Sequence, residues 1–492
     1  MLPLSTATLD DLDPAVERPT YDRSAVTTGI VHLGVGGFHR AHQAMYVDRL
    51  LSEGRDLDWG ICGVGVLESD RAMADALQAQ DCIYTLVEKA SDGTVTARVV
   101  GSIVAYLFAP DDPLAVVERM AEPATRVVSL TITEGGYVVD PASPDLTPDA
   151  LPRSAFGLVV EALARRRARG LAAFTVLSCD NIAGNGDVAR ASVTAFARLR
   201  DPALGDWVAE HVRFPNSVVD RITPATTPED AAELGRRFGI LDRWPVVCEP
   251  FIQWVLQDDF GAGRPALERV GVQVVADVEP YELMKLRLLN ASHQALCYFG
   301  YLAGYRLVHE VCLDPLFTDF LLAYMEREAT PTLGPVPGVD LDAYRHELIT
   351  RFSNSHVRDT VVRLCANSSD RIPSWLLPVL RSNLDTGGEV SLSAAVVASW
   401  ARYAEGVDEQ GEPLTVVDPL RDRLMAAARR QRDDPLAFLR DHQLFGRLAD
   451  DERFVAAYLP VLASLHDRGA RGTLQALAAR RTITQQPEPA GR

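Results

Sequence analysis

Three polar side chains able to move or hold a proton, Lys285, Asn290 and His293, fall within nine residues, Lys285-Leu286-Arg287-Leu288-Leu289-Asn290-Ala291-Ser292-His293. Pro280 and Glu282 just upstream suit a helix start, and the residues beyond are good helix formers. On a wheel of about 100° per residue, His293 lies about 80° and Asn290 about 140° from Lys285, in the sector of Leu286, Leu289 and Leu296. A buried amine, amide and imidazole must each be hydrogen-bonded or serve chemistry, because an unpaired one costs about 1–3 kcal/mol. Taken singly, each is better explained as a snorkelling lysine or a polar group bonded to backbone. Taken together they point to a site. The chemistry that suits them is alcohol oxidation, in which a base removes the hydroxyl proton while donors surround the developing alkoxide. Burial lowers a lysine from about 10.4 toward the range of about 7–8 useful to such a base. Lys285 is therefore the candidate acid/base, Asn290 a donor to the reacting oxygen, and His293 a group that orients it.

A second polar cluster, Ser178-Cys179-Asp180-Asn181 through Gly186, follows the strand-like run Phe174–Ser178. Ligands of doubly wound sheets bind just past the carboxyl ends of strands. Asn181 is thus a candidate second donor; the alternative is an Asx-type cap on the next helix. Asn185, ahead of Gly186, reads as a turn. For metal catalysis, His39 and His42 have H-x-x-H spacing and His309-Glu310 opens a partial H-E-x-x-H, but neither has an identifiable third ligand. A catalytic zinc is not expected.

The elements that must position these groups begin with Thr28-Gly29-Ile30-Val31-His32-Leu33-Gly34-Val35-Gly36-Gly37-Phe38-His39, a strand entering a glycine turn and then a helix. Such a turn lets backbone N–H groups approach a pyrophosphate, which makes Gly34, Gly36, Gly37 and Phe38 candidate cofactor contacts. His39 stands where the third glycine of G-x-G-x-x-G is usual, so a purely structural turn is the competing reading. A second strand, Gly60–Val66, leads to Glu68 and Asp70, either of which can accept from ribose hydroxyls. A carboxylate there repels a 2′-phosphate, favouring NAD over NADP.

The first half alternates β-branched runs (Thr28–Gly34, Gly60–Val66, Val127–Ile132, Phe174–Ser178) with helical stretches, the pattern of a parallel sheet covered by helices. From about Pro280 the pattern changes to long amphipathic stretches such as Glu282–Leu302, Ser393–Glu405 and Phe454–Ala463. The expected fold class is α/β, with a Rossmann-type doubly wound NAD-binding domain over residues 1–280 followed by a mostly helical substrate-binding and catalytic domain over 281–492. Thr330–Gly338 reads as a loop inside the helical part, and the tail Gln485–Arg492 as frayed.

A formal charge of −18 disfavours a nucleic-acid partner, and a small neutral substrate is easier to accommodate. No stretch approaches the roughly 20 apolar residues that span a bilayer, and Met1–Pro19 reads as neither signal nor transit peptide. Seven scattered cysteines without a C-x-x-C pair fit reduced thiols in the cytoplasm. No apolar heptad is visible, which fits a monomer or weak homo-oligomer.

The segments Gly34–Gln43, Thr131–Tyr137, Ser178–Asn181, Val219-Asp220-Arg221-Ile222-Thr223-Pro224, Cys248-Glu249-Pro250-Phe251 and Lys285–His293 resemble the long-chain polyol dehydrogenases. The resemblance runs from about Pro19 to Leu474. It implies a metal-free active site between a Rossmann-type and a helical domain, and NAD-dependent interconversion of a sugar alcohol and its ketose. It assigns the general acid/base to Lys285 and the oxyanion hole to Asn181 and Asn290. It gives substrate positioning to His293, Asp220 and Arg363, and proton passage to solvent to Glu134. The acid after the second strand aligns best with Asp70. Family members also reduce keto-uronates, whose carboxylate calls for an extra cation that Arg363 could supply; the other segments favour mannitol and fructose. A non-catalytic dinucleotide sensor is the remaining alternative, and it has no need of a buried base.

Overall fold

The computed structural model describes residues 1–147 and 150–484; the side chains of Glu134 and of residues 480–484 are outside that description, as is the tail expected to fray. The chain forms two compact units, Met1–Glu279 and Pro280–Arg492.

In the first unit, five parallel strands form the central sheet: β1 (Thr28–Leu33), β2 (Gly60–Gly65), β3 (Ile103–Phe108), β4 (Val127–Leu130) and β5 (Thr175–Ser178), in the order β3-β2-β1-β4-β5. Period-two alternation divides their side chains between two apolar layers. Ile30, Ile61, Tyr106 and Val127 pack with Ala44, Tyr46 and Leu50 on one face. Val31, Leu33, Cys62, Val64 and Val128 pack with Val116, Met120, Val159 and Leu163 on the other. Both faces are covered, which is why β1, β2, β4 and β5 are buried at every position and, apart from His32 and the small Thr28, Ser129, Thr175 and Ser178, carry only apolar residues and glycine.

The covering helices are α1 (Gly37–Ala41), α2 (Gln43–Leu51), α3 (Pro113–Ala121), α4 (Ala155–Ala168) and α5 (Asn185–Arg200). Strand order reverses between β1 and β4, so the turns after those two strands open on the crevice where doubly wound sheets take ligands. An antiparallel hairpin, Tyr84–Lys89 with Val95–Val100, carries a second four-stranded sheet, and Ser217–Asp220 joins Gln253–Gln257 and Gln273–Val275 in a third.

The second unit is helical throughout its regular structure. Its first element, α6 (residues 279–302), consists of an α-helical start Glu279–Met284, a π-helical turn Lys285–Asn290 and an α-helical end Ala291–Leu302. Two further π turns, Met325–Ala329 and Ile372–Leu376, pack against the first. Also used below are α7 (Leu341–Phe352), α8 (Val361–Cys365) and α9 (Ser391–Tyr403). The expectation of an amphipathic helix around Ser393–Glu405 needs correcting: α9 is buried from Leu392 to Tyr403 because α6 and the long helix Glu452–Thr484 pack around it. The latter bends at Gly469, where φ is +70°. Among the described residues, no helix is long and apolar enough to cross a membrane.

Gly34 closes β1 at φ +89°, and a Cβ there would stand 2.3 Å from the carbonyl oxygen of Thr131. Gly34→Ala combines a left-handed backbone with a collision between the ends of β1 and β4, so it is expected to cost at least about 2 kcal/mol. Urea unfolding of the variant checks this; an unchanged midpoint would contradict the packing described.

Candidate active site

In the first unit, Gly34, Gly36 and Gly37 make the turn from β1 into α1, and Gly36 is the N-cap. The first N–H groups of any helix lack intrahelical partners and point outward. Beside them, a Cβ on Gly36 would meet only the Gly34 carbonyl, at 3.8 Å, so a ligand can approach this backbone closely. The helix expected after the turn is broken: α1 ends at Ala41, His42 has φ −120° and ψ −88°, and α2 resumes at Gln43. His39 explains its departure from the glycine pattern. Its ring is buried and stacks on His32 of β1, centroids 3.4 Å apart and 13° from parallel, so two imidazoles make the helix–strand contact that a third glycine would make. Phe38 stacks on His42 at 4.9 Å, and His42 Nε2 bonds the Gln253 carbonyl oxygen at 2.8 Å. Among the described residues, no three His, Cys, Asp or Glu side chains are grouped to hold a metal ion.

The two acids after β2 have different surroundings. Asp70 Oδ2 accepts the Val66 and Leu67 N–H groups, both at 3.0 Å, and so caps the turn. Glu68 is exposed and accepts from Arg71 Nε at 2.7 Å. Arg71 is also forked onto Asp111, beyond the end of the neighbouring β3, and its guanidinium lies 4.5 Å from the Phe108 ring centroid. Glu68 and Asp111 together outnumber the cation they share, Arg71.

Asn181 is exposed in the bend after β5. It is not the cap of α5, whose N-cap is Gly184 in the left-handed region. Its neighbours hold the bend in place. Asp180 Oδ1 accepts the Thr133 N–H at 2.9 Å; its Oδ2 accepts the Ile132 N–H at 3.0 Å and the Tyr137 hydroxyl at 2.7 Å. Asn185, expected to be only a turn residue, is buried: its Nδ2 donates to the carbonyls of Asp180 (3.0 Å) and Ser217 (2.8 Å), and its Oδ1 accepts the Ser217 N–H at 2.9 Å. These bonds tie the Asn181 bend to the loop after β4 and to the strand ending in buried Asp220. Thr133, a β-branched residue at φ +62°, is strained, and Asp180 holds its amide. Glu134 opens the short turn Glu134–Tyr137; its side chain lies outside the described residues.

In the second unit, Lys285 is 7% and Asn290 4% exposed. They begin and end the π turn of α6. The regular wheel needs correcting here, because i→i+5 bonding widens the turn and brings the residue five positions on back toward the first. Lys285 and Asn290 therefore share a face more closely than about 140° implies. Neighbours support the widened turn: Tyr324 donates its hydroxyl to the Arg287 carbonyl at 3.3 Å, and Arg287 Nη1 donates to the Thr332 carbonyl. The Asn290 Oδ1 is buried without a partner among the described residues, a polar atom that folding itself does not employ.

His293 lies two turns beyond Lys285 and packs on Phe352 of α7, centroids 4.7 Å apart. Desolvation, then the Arg363 guanidinium, pushes its pKa down to about 3 against the pull of Asp359. It is a neutral hydrogen-bonding group at any working pH. Arg363, on α8, is forked onto Asp359, with Nε to Oδ1 at 2.7 Å. Asp111 and Asp359 carried no spacing signal of their own, whereas Asp180 and Asn185 lay in the polar segment already singled out around Asn181.

Residues 28–269 match the Mannitol dehydrogenase Rossmann domain and residues 277–465 the Mannitol dehydrogenase C-terminal domain. A mannitol 2-dehydrogenase of Aspergillus fumigatus is 46% identical over 477 residues, 93% of this chain and 95% of that protein. The structure of Pseudomonas fluorescens mannitol 2-dehydrogenase in a ternary complex with NAD and D-mannitol superposes with a TM-score of 0.89 at 44% identity, covering 97% of this chain and all of that one. A substrate-free D-sorbitol dehydrogenase superposes with a TM-score of 0.88 at 37% identity, covering 96% and 100% of the two chains.

The stacked histidines generate a pH dependence readable without any ligand. Burial pushes His32 down to about 3 and His39 well below its usual value, so both stay neutral when folded. The unfolded chain takes up their protons below about pH 6.5, so their stability contribution is complete above that pH and falls on acidification. Each removes about 1 kcal/mol between pH 6.5 and 5.5, and about 1.4 kcal/mol between pH 7.5 and 5.5. Between pH 7.5 and 5.5, His39→Phe should therefore lose about 1.4 kcal/mol less than the parent chain in urea unfolding; equal losses would contradict the neutral stack.

Proposed function

Since the chain belongs to the mannitol dehydrogenase family, we propose that it oxidises D-mannitol to D-fructose with NAD and catalyses the reverse reduction, with Lys285 as general acid/base. The observation that carries this reading is the buried Lys285–Asn290 pair on the widened turn of α6. Support also comes from the relative bound to NAD and D-mannitol.

The residues of the first unit fit a dinucleotide. The backbone at Gly36 is open to close approach, Phe38 lies beside it, and Glu68 is the exposed acid where ribose hydroxyls need an acceptor, Asp70 being committed to backbone. NAD, when bound, supplies the two-electron acceptor. Every other requirement falls to side chains. Lys285 takes the proton from the substrate hydroxyl in oxidation and returns it in reduction; burial favours the neutral amine this needs. Asn290 and Asn181 donate to the oxygen that gains charge, at little reorganisation cost because Asn290 is buried on α6 and the bonds of Asp180 and Asn185 fix the bend that carries Asn181. Neutral His293 accepts from or donates to a substrate hydroxyl without competing for the proton. Asp220 and Arg363 position further hydroxyls, and Glu134 passes the proton toward solvent. None of these steps calls on a metal ion.

Purified protein supplied with mannitol, sorbitol or arabinitol, with NAD or NADP and with or without chelator, tests the reading; mannitol with NAD should give the highest kcat/KM, unaffected by chelator. Lys285→Ala is expected to lower kcat by roughly 10²–10⁴-fold with NAD binding intact, and near-parental turnover would reject the assigned base. Glu68→Gln removes one of the two acids that offset Arg71, so the NADP-to-NAD ratio of kcat/KM should rise about tenfold. A ratio that stays put would remove Glu68 from the ribose site.

A further inference from the structure

Arg363 raises a question of selectivity. A six-carbon ketose and its uronate present the same reacting carbonyl and differ at the far carbon, which carries a hydroxymethyl group in one and a carboxylate in the other. An unmatched guanidinium near that carbon would welcome the carboxylate, because Arg forks onto planar anions through two parallel bonds. The fold has already filled the fork. Asp359 takes both of its bonds, Nε to Oδ1 and Nη2 to Oδ2. Asp359 is itself fixed: its Oδ1 also accepts the Thr360 N–H at 2.8 Å, and its carbonyl accepts the Val308 N–H at 2.9 Å. The acid side chain is 9% exposed, whereas that of Arg363 is 51% exposed. The pair stands beside His293, on which Arg363, Asp359, Arg371 and Arg351 all act electrostatically. Among these four groups, Asp359 supplies the negative charge.

We propose that Asp359 is a specificity-determining residue acting through Arg363: by occupying the guanidinium fork it keeps the site for neutral polyols and ketoses and turns away substrates ending in a carboxylate. The inference rests on the function proposed above, specifically on Arg363 and His293 meeting substrate. An incoming carboxylate faces a guanidinium that is already matched and a second negative charge behind it, which costs affinity through like-charge juxtaposition. A hydroxyl meets neither penalty, since Arg363 retains N–H donors beyond the two given to Asp359.

The test compares kcat/KM for fructose and fructuronate with NADH in the parent chain, Asp359→Asn, Asp359→Glu and the double variant Asp359→Asn/Arg363→Gln. Asp359→Asn keeps an acceptor for the Thr360 N–H while freeing the guanidinium, so the fructuronate-to-fructose ratio should rise at least about tenfold. Asp359→Glu restores the charge and should return the ratio to the parental value, and the double variant should lose the gain. A role in packing alone would lower both substrates together and leave the ratio in place, which overturns the inference. Should Asp359→Asn fail to fold, Asp359→Ser, which also offers an acceptor to Thr360, is read in the same way. A parent chain that already reduces fructuronate faster than fructose sinks the proposed substrate along with the inference. A parent chain that prefers fructose, with a ratio that Asp359→Asn does not move, sinks the inference alone.

Discussion

The site on α6 depends on a local departure from helical regularity. In an ordinary α-helix, residues five apart point about 140° away from each other, and a lysine and an amide at that spacing would serve different surroundings. The π turn over Lys285–Asn290 narrows that separation, and both residues are buried. A widened turn gives up backbone hydrogen bonding and persists only where the surroundings compensate. Here the Tyr324 hydroxyl reaches the Arg287 carbonyl, Arg287 reaches the Thr332 carbonyl, and two other π turns pack alongside. The helical unit thus acts as a mould for one turn of one helix.

The first unit solves a related problem with hydrogen bonds. The bend carrying Asn181 has no regular structure of its own, yet Asp180 and Asn185 join it to the loop after β4 and to the strand Ser217–Asp220. The strained Thr133 amide is one of the groups so held, a cost of about 1–3 kcal/mol that a loop under no functional demand would shed. At both places, side chains that meet no substrate determine where the proposed donors stand.

The sequence was most legible where one interaction dominates. β1, β2, β4 and β5 are buried on both faces, so they are dominated by β-branched and other apolar residues, broken only by glycine, small hydroxyl residues and His32, and are readable. β3 is apolar throughout, yet half of its positions are only half-buried because it lies at the sheet edge, so composition alone does not tell it from the central strands. The polar triplet on α6 was visible because lysine, asparagine and histidine are conspicuous among leucines. The relative angles within it were not, because a π turn has no sequence signature that a regular wheel can register. Asn185 was misjudged as a turn residue because its partner, Ser217, lies 32 positions away, and Asp359 went unnoticed because its importance comes only from the arginine it faces.

The central claim is that the titrating base is Lys285. His293, held near a pKa of about 3, has no protonation step in the working range, so the amine should be the origin of any limb in the pH profile of mannitol oxidation. The most direct measurement is kcat/KM against pH for the parent chain and for Lys285→Ala at saturating NAD. The account predicts a rise with pH through one ionisation in the parent and a profile without that ionisation in the variant. A limb that persists unchanged in Lys285→Ala and vanishes in His293→Asn would contradict it.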